Sequence, residues 1–456
     1  MQTRRDHLKL LGATGAALTG APLLWRAGAG ALPLAAGLSD PAVQPKFVEI
    51  APNALDPAFA FEPVPGGPKA GTFNVSVRQG VQHTGLRRNG TGRRLATTVF
   101  GYGYDDERGV SWPGRTFHAR SGQPTTVRWN NDLVNRRGRP RRHLLPVDTS
   151  LHWCYSLHGY EQYSIERDGV PIVTHLHGGH TDYQFDGNPE FFWSPDYEIV
   201  GPQWEPLGGI VKDFVYLNDQ PAGNLWYHDH ALGLTRLNVY AGMAGFYFVR
   251  DEVDTGTADN PLGLPAFPYE LAYAIQDRMF TNRGELFYPA FPGDPFWDDF
   301  ITGEGVEDPP IPSALAEMFG DHMVVNGKIW PKADVEPRRY RMHLLNGCDS
   351  RFLVTRFRVV PLGEGDLSAA GTPVPFWVIG SDQGLAASAT QTDTLVIEPG
   401  GRYDVVVDFS QVPFDSRVIM KNIGGDEPFG GDIPGPQVFG ETDRIMAFDV
   451  VVPPSG

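Results

Sequence analysis

Short β-branched or alternating runs, each cut off within about ten residues by Gly, Pro, Asn or Asp, leave this chain little choice of architecture. Thr72-Phe73-Asn74-Val75-Ser76-Val77, Thr125-Thr126-Val127-Arg128-Trp129 and Asp213-Phe214-Val215-Tyr216-Leu217 are three of them. Val378-Ile379, Thr394-Leu395-Val396-Ile397 and the run from Tyr403 to Phe409 continue the pattern. No long segment of 3.6-residue period interrupts them, so the expected fold is all-β and built of sandwiches. The 54 glycines and 40 prolines among 456 residues supply the turns. That is about a fifth of the chain, short of the ~25–30% typical of low-complexity disorder. Hydrophobic and aromatic contents of 41% and 12% suffice for substantial cores.

At roughly 150 residues per domain, the length suggests about three domains. A composition break at 251–265, acidic and then rich in Gly and Pro, reads as a linker. It follows the apolar run Phe246-Tyr247-Phe248-Val249 and divides the rest into domains of residues 37–250 and 266–456. Residues 1–36 read as an export leader. Arg4 and Arg5 precede a mildly apolar run from about Leu10 to Trp25, and small residues follow. The segment resembles a twin-arginine signal, which implies a periplasmic or extracellular protein. The apolar run is shorter than the ~20 residues of a spanning helix, so no membrane partner is expected. The net charge of −16 likewise opposes nucleic acid and anionic membranes. Cys154 and Cys348 are 194 positions apart and in no CxxC pattern, and they are expected as two separate buried thiols.

The chemistry is concentrated in histidines. His175-Leu176-His177 and His228-Asp229-His230 repeat one spacing on strand-like segments. On a strand, i and i+2 side chains leave the same face about 6.5–7 Å apart. Such a pair cannot serve one metal without distorting the strand, but can hold one of two neighbouring metals each. Two such strands side by side would offer four nitrogens to a metal cluster. Imidazole suits Cu, Zn, Fe and Ni, so ligand chemistry alone does not choose. Trp226 and Tyr227, beside the second pair, could shield a redox centre from water.

With their flanks these motifs become specific. Thr174-His175-Leu176-His177-Gly178-Gly179-His180 followed by Asp186-Gly187, and the stretch from Asn224 to Asp251, resemble the first cupredoxin domain of multicopper oxidases. The branch of spore-coat laccase, bilirubin oxidase and phenoxazinone synthase is the most similar. Ile275-Gln276-Asp277-Arg278, Val325-Asn326-Gly327 and Leu344-Leu345-Asn346 resemble the family's second cupredoxin domain. The resemblance implies two consecutive cupredoxin-like Greek-key β-sandwich domains and a trinuclear copper cluster. By its pattern His175 would bind the type 2 copper, and His177, His228 and His230 the paired type 3 coppers. Asp186 matches an acid that delivers protons during oxygen reduction, although a turn residue before Gly187 is an equal reading. His180, outside the paired spacing, is expected to support a ligand or the fold rather than to bind metal itself.

The family's cluster takes four His-x-His pairs, and its type 1 copper uses two His and a Cys thiolate. After His230 only His322 and His343 occur, and no His-Cys-His segment is present. The expectation is therefore a laccase-like or bilirubin-oxidase-like chain with half of the trinuclear ligands and no type 1 site. Oxygen and a small reducing substrate would be its partners. It would need a third cupredoxin domain, lost by truncation or supplied by a separate chain, to be active. Two other readings stay open: a non-catalytic copper-binding cupredoxin protein, and a dinuclear zinc hydrolase, for which Gly179 stands where HxHxDH requires Asp.

Overall fold

The computed structural model describes residues 37–65, 71–106, 108–297, 308–371 and 373–455. Arg4, Arg5 and the rest of the export-type segment lie outside the described residues. The described chain is mostly strand, and its longest α-helix, Thr235–Tyr240, has six residues. The all-β expectation holds, with the cupredoxin-like form of two sandwiches in sequence.

The first sandwich uses β1 (Thr72–Gln82), β2 (Thr97–Gly103), β3 (Val110–Ser111), β4 (Gly114–Arg120) and β5 (Thr125–Asn131). It is completed by β6 (Thr174–His177), β7 (Asp213–Tyr216), β8 (Gly223–Asp229) and β9 (Ala244–Arg250). One sheet runs β3-β2-β1-β5-β7 and the other β4-β9-β8-β6. Val75, Val77, Val127 and Trp129 of the first sheet pack on Phe117, Tyr227, Tyr247 and Val249 of the second. The four-residue β6 is an edge strand, paired antiparallel with β8 so that His175 lies opposite His228.

The second sandwich begins with β10 (Glu270–Phe280), β11 (Leu286–Phe287), β12 (His322–Val325), β13 (Lys328–Ile329), β14 (Lys332–Val335) and β15 (Arg339–Asn346). There follow β16 (Leu353–Pro361), β17 (Pro373–Val374), β18 (Phe376–Ser381), β19 (Gly384–Thr392) and β20 (Leu395–Ile397). β21 (Arg402–Asp408), β22 (Ser416–Asn422) and β23 (Arg444–Val450) close it. Its larger sheet runs β13-β12-β10-β15-β21-β18-β19, with β11 on β10. The facing sheet runs β14-β23-β22-β16-β17, with β20 on β16.

Strand β9 explains how the two sandwiches meet. All seven of its residues are buried, as expected of a strand covered on both faces. Tyr247 and Val249 point into the first core. Phe246 and Phe248 point the other way, onto Ala272, Ala274 and Leu345 of the second sandwich. Trp226 belongs to that same outward cluster, so the sheet face turned to the second sandwich is also the face that carries the histidines.

Candidate metal centre

Alternation along β6 and β8 gathers the imidazoles. His175 and His177 leave one face of β6, and His228 leaves the same face of β8 with His230 just beyond the strand end. Ring centroids are 5.4 Å apart for His175–His177, 5.3 Å for His175–His228 and 5.2 Å for His175–His230. The His177–His228 and His228–His230 separations are 5.5 and 5.8 Å. The rings thus converge more than the ~6.5–7 Å strand repeat suggests. Ligand nitrogens of His175, His177 and His228 lie within 4.8 Å of one another.

Two of the rings, His175 and His228, are held from behind. His175 Nδ1 meets the Asp186 carbonyl, and the Asp186 carboxylate lies 3.5 Å from the same nitrogen. His228 Nδ1 meets the Asp229 carbonyl at 2.8 Å, and its Nε2 is 3.3 Å from His177 Nδ1. Such backing fixes ring orientation and the tautomer. Burial drives the pKa of His228 well down and that of His230 down. Burial, then the Arg402 guanidinium, lowers His177 to about 3. Neutral imidazoles are the form that binds a metal.

Between the second pair, Asp229 points to the opposite face, into the protein. Its carboxylate accepts from the amides of Val173 at 3.0 Å and Ala231 at 3.1 Å, and from Asn238 Nδ2 at 2.7 Å. Burial pushes its pKa up to about 7 against these donors. The result is a clamp: Asp229 ties the end of β8 to the segment entering β6, which sets the two pairs in register.

Trp226 and Tyr227 divide their work by the same alternation. Trp226 stacks on His228 at 4.1 Å and on His177 at 5.3 Å between centroids. Tyr227 points into the first core, where its hydroxyl donates to the Arg115 carbonyl at 2.7 Å. Only the Trp shields the imidazoles, so the expectation for Tyr227 is corrected. His180 is exposed and faces Asp219, its Nδ1 3.1 Å from Oδ1, apart from the gathered rings. His322 and His343 are buried against Asp321 and Glu270. Cys154 and Cys348 are free buried thiols, as expected, and His152 and His158 are exposed.

The imidazoles open onto a cavity of about 430 Å³ whose far wall comes from the second sandwich, at Cys348, Asp349 and Gly400. The buried His230 Nδ1 and Trp226 Nε1 have no hydrogen-bond partner among the described residues. An orphaned ring nitrogen among neutral imidazoles is the donor chemistry that copper or zinc accepts. Arg402, Asp229 and the cavity's far wall escape a sequence reading. Only the His-Asp-His spelling hints at Asp229.

No model of a known protein family matches the chain. Among characterised proteins it is similar to a laccase of Bacillus stratosphericus, with 36% identity over 347 residues, 76% of this chain and 57% of that one. It is similar also to multicopper oxidase LPR2 of Arabidopsis thaliana, with 32% identity over 355 residues, 77% of this chain and 51% of that one. The chain therefore spans little more than half the length of these relatives. Among solved structures, the multicopper oxidase of Pediococcus acidilactici shares the fold, with a TM-score of 0.57 at 18% identity, covering 94% of this chain and 64% of that one.

Proposed function

We propose that this chain, which belongs to the multicopper oxidase family, supplies one half of an oxygen-reducing copper cluster. The observation that carries the proposal is the set of four imidazoles on one sheet face, His175 and His177 from β6 and His228 and His230 from the end of β8. His175 would hold the type 2 copper, and His177, His228 and His230 the type 3 pair. Bound copper supplies one-electron redox chemistry, so electrons from a phenolic or other reducing substrate are passed singly and oxygen is reduced to water. The protein's part is orientation and exclusion of water. Backbone carbonyls of Asp186 and Asp229 aim the rings of His175 and His228, and Trp226 covers His177 and His228. Asp186, whose carboxylate lies 3.5 Å from His175, would pass protons to the oxygen being reduced. The remaining ligands and the type 1 site would come from a further cupredoxin domain, in the same protein or on a separate chain. Export through the twin-arginine pathway to the periplasm or beyond belongs to the same proposal.

Copper titration tests it. The chain should take up copper, His177→Ala and His228→Ala should abolish uptake with the fold retained, and no intense blue absorption should appear. Adding a third cupredoxin domain should start oxygen consumption with a phenolic donor. Copper uptake with no oxygen consumption beside such a domain would favour a non-catalytic copper-binding protein, and an intense blue band from this chain alone would overturn the account of the missing type 1 site.

A further inference from the structure

We propose that Asp349, on the cavity wall opposite the four imidazoles, is a proton-holding residue that feeds oxygen reduction from the second-sandwich side, with Arg236 as a cation that offsets its charge. The proposal rests on the copper reading above and extends it to residues outside the histidine motifs.

Four residues lining this one cavity each have a buried polar atom with no hydrogen-bond partner among the described residues: Asp349 Oδ2, Arg236 Nε, His230 Nδ1 and Trp226 Nε1. Unsatisfied buried groups are costly, and rare enough that four around one cavity mark a polar occupant. Two belong to the imidazole wall. The other two are a carboxyl and a guanidinium on the remaining wall. Arg236 is tethered through Nη1 to the Gly233 carbonyl at 2.6 Å. It also borders a second, largely apolar cavity of about 580 Å³ with Asp148 and Ser150, so it lines both that cavity and the imidazole cavity.

The groups around Asp349 suit a carboxyl that changes charge near neutral pH. Burial raises its pKa to about 7, with Asp277 adding to the rise, while Arg278, Arg236 and the Tyr288 hydroxyl act against it. Arg278 places one N–H each on the carbonyls of Tyr240, Asp277 and Val239, and Arg236, whose Nε has no partner among the described residues, is the second cation that acts on Asp349. Reducing one dioxygen to two waters takes four electrons, from the reducing substrate, and four protons. The Asp349 O–H bond breaks, its proton passes through cavity water to reduced oxygen, and the electron pair stays on the carboxylate, whose charge Arg278 and Arg236 offset. A proton from solvent restores the acid.

Infrared spectroscopy of the full chain tests whether Asp349 holds a proton. At pH 6 the un-ionised carboxyl carbonyl signal should include two buried groups, Asp229 and Asp349, and Asp349→Asn should remove one. Arg236→Gln should move the ionisation midpoint of the Asp349 signal upward. Copper content, read on the same samples, should be unchanged in Asp349→Asn. In the oxygen-consuming assembly, Asp349→Asn should slow oxygen consumption about 100-fold and Asp349→Glu should restore it. An unchanged infrared signal in Asp349→Asn, or full oxygen consumption by it, overturns the relay while leaving the copper reading intact. Loss of copper from Asp349→Asn assigns the residue to the metal shell instead. Absence of copper from the wild-type chain sinks both.

Discussion

Gly187 shows how little room the imidazole site leaves. Its φ is +77°, and a Cβ there would lie 2.6 Å from His175 Cα and 2.9 Å from its backbone nitrogen. Gly187→Ala therefore has to push β6 away from the Asp186 carbonyl that aims His175. Strain at positive φ costs of order 1–3 kcal/mol, and here it falls on a ligand's backbone. Gly284, with φ +96° and a Cβ position 2.8 Å from the Ala96 carbonyl, is as crowded but belongs to a turn away from the histidines. Both alanine variants should lower the thermal midpoint, and only Gly187→Ala should weaken copper uptake in a titration. Equal copper affinity in the two would deny Gly187 its part in placing His175. The histidines themselves were legible in the sequence because their shared face follows from strand alternation, which is local. Asp349 and Arg402 were not, because Asp349 reaches the cavity and Arg402 acts on His177 only by packing of segments distant in the chain.

Strands that read as ordinary alternating runs carry a buried ion network across the junction of the sandwiches. Arg250, closing β9, donates to Asp254 at 3.0 Å and to both Glu270 oxygens at 3.0 and 3.1 Å. Arg341 of β15 donates to Asp254 at 2.8 and 2.6 Å and to Asp404 of β21 at 3.0 Å. His343 Nε2 lies 2.8 Å from Glu270. The composition of 251–265 signals a turn-rich stretch and nothing more, and Asp254's burial within it was invisible because its partners lie on other elements. Arg341→Met would leave three carboxylates facing one another without their shared cation, and breaking a buried pair in this way costs about 3–5 kcal/mol. Urea denaturation at pH 7 should show that loss. Burial would raise the Glu270 and Asp254 carboxyls, but their hydrogen bonds to His343 and Arg341, with Arg250 nearby, hold both below the usual range. A carboxyl depressed in the folded state adds stability above its unfolded pKa, about 4.5 for Glu and 3.8 for Asp, and this stability is lost as pH falls through the folded value. Wild-type stability should therefore drop steeply below about pH 4, with a shallower slope in Arg341→Met. Parallel acid curves would show that the network does not set acid stability.

At the scale of the molecule, the described residues, 37 onward, belong to one compact unit, and the reason lies in side chains that cross the junction. Phe47, Leu86, Leu95, Trp112 and Tyr240, all from the first half of the chain, belong to the same apolar cluster as the second sandwich's core. Trp112 Nε1 donates to Gln276 Oε1 at 2.7 Å, and Arg278 reaches back to the Tyr240 carbonyl at 3.0 Å. The composition break near 251 made two halves legible, but a shared core has no signature in a linear pattern: an apolar residue on a strand reads the same whichever sandwich it faces. Burying each of those large side chains is worth about 1.5–3 kcal/mol, so the second half expressed alone, residues 266–456, would forgo a sum comparable to the ~5–15 kcal/mol that holds a typical domain together. The chain should then unfold in one calorimetric transition whose van't Hoff and calorimetric enthalpies agree, and the isolated 266–456 fragment should show no cooperative transition. Two resolved transitions, or a fragment that melts sharply, would mean that the crossing side chains decorate two independently stable sandwiches. In that case the wall bearing Asp349 could shift relative to the imidazoles without either sandwich unfolding.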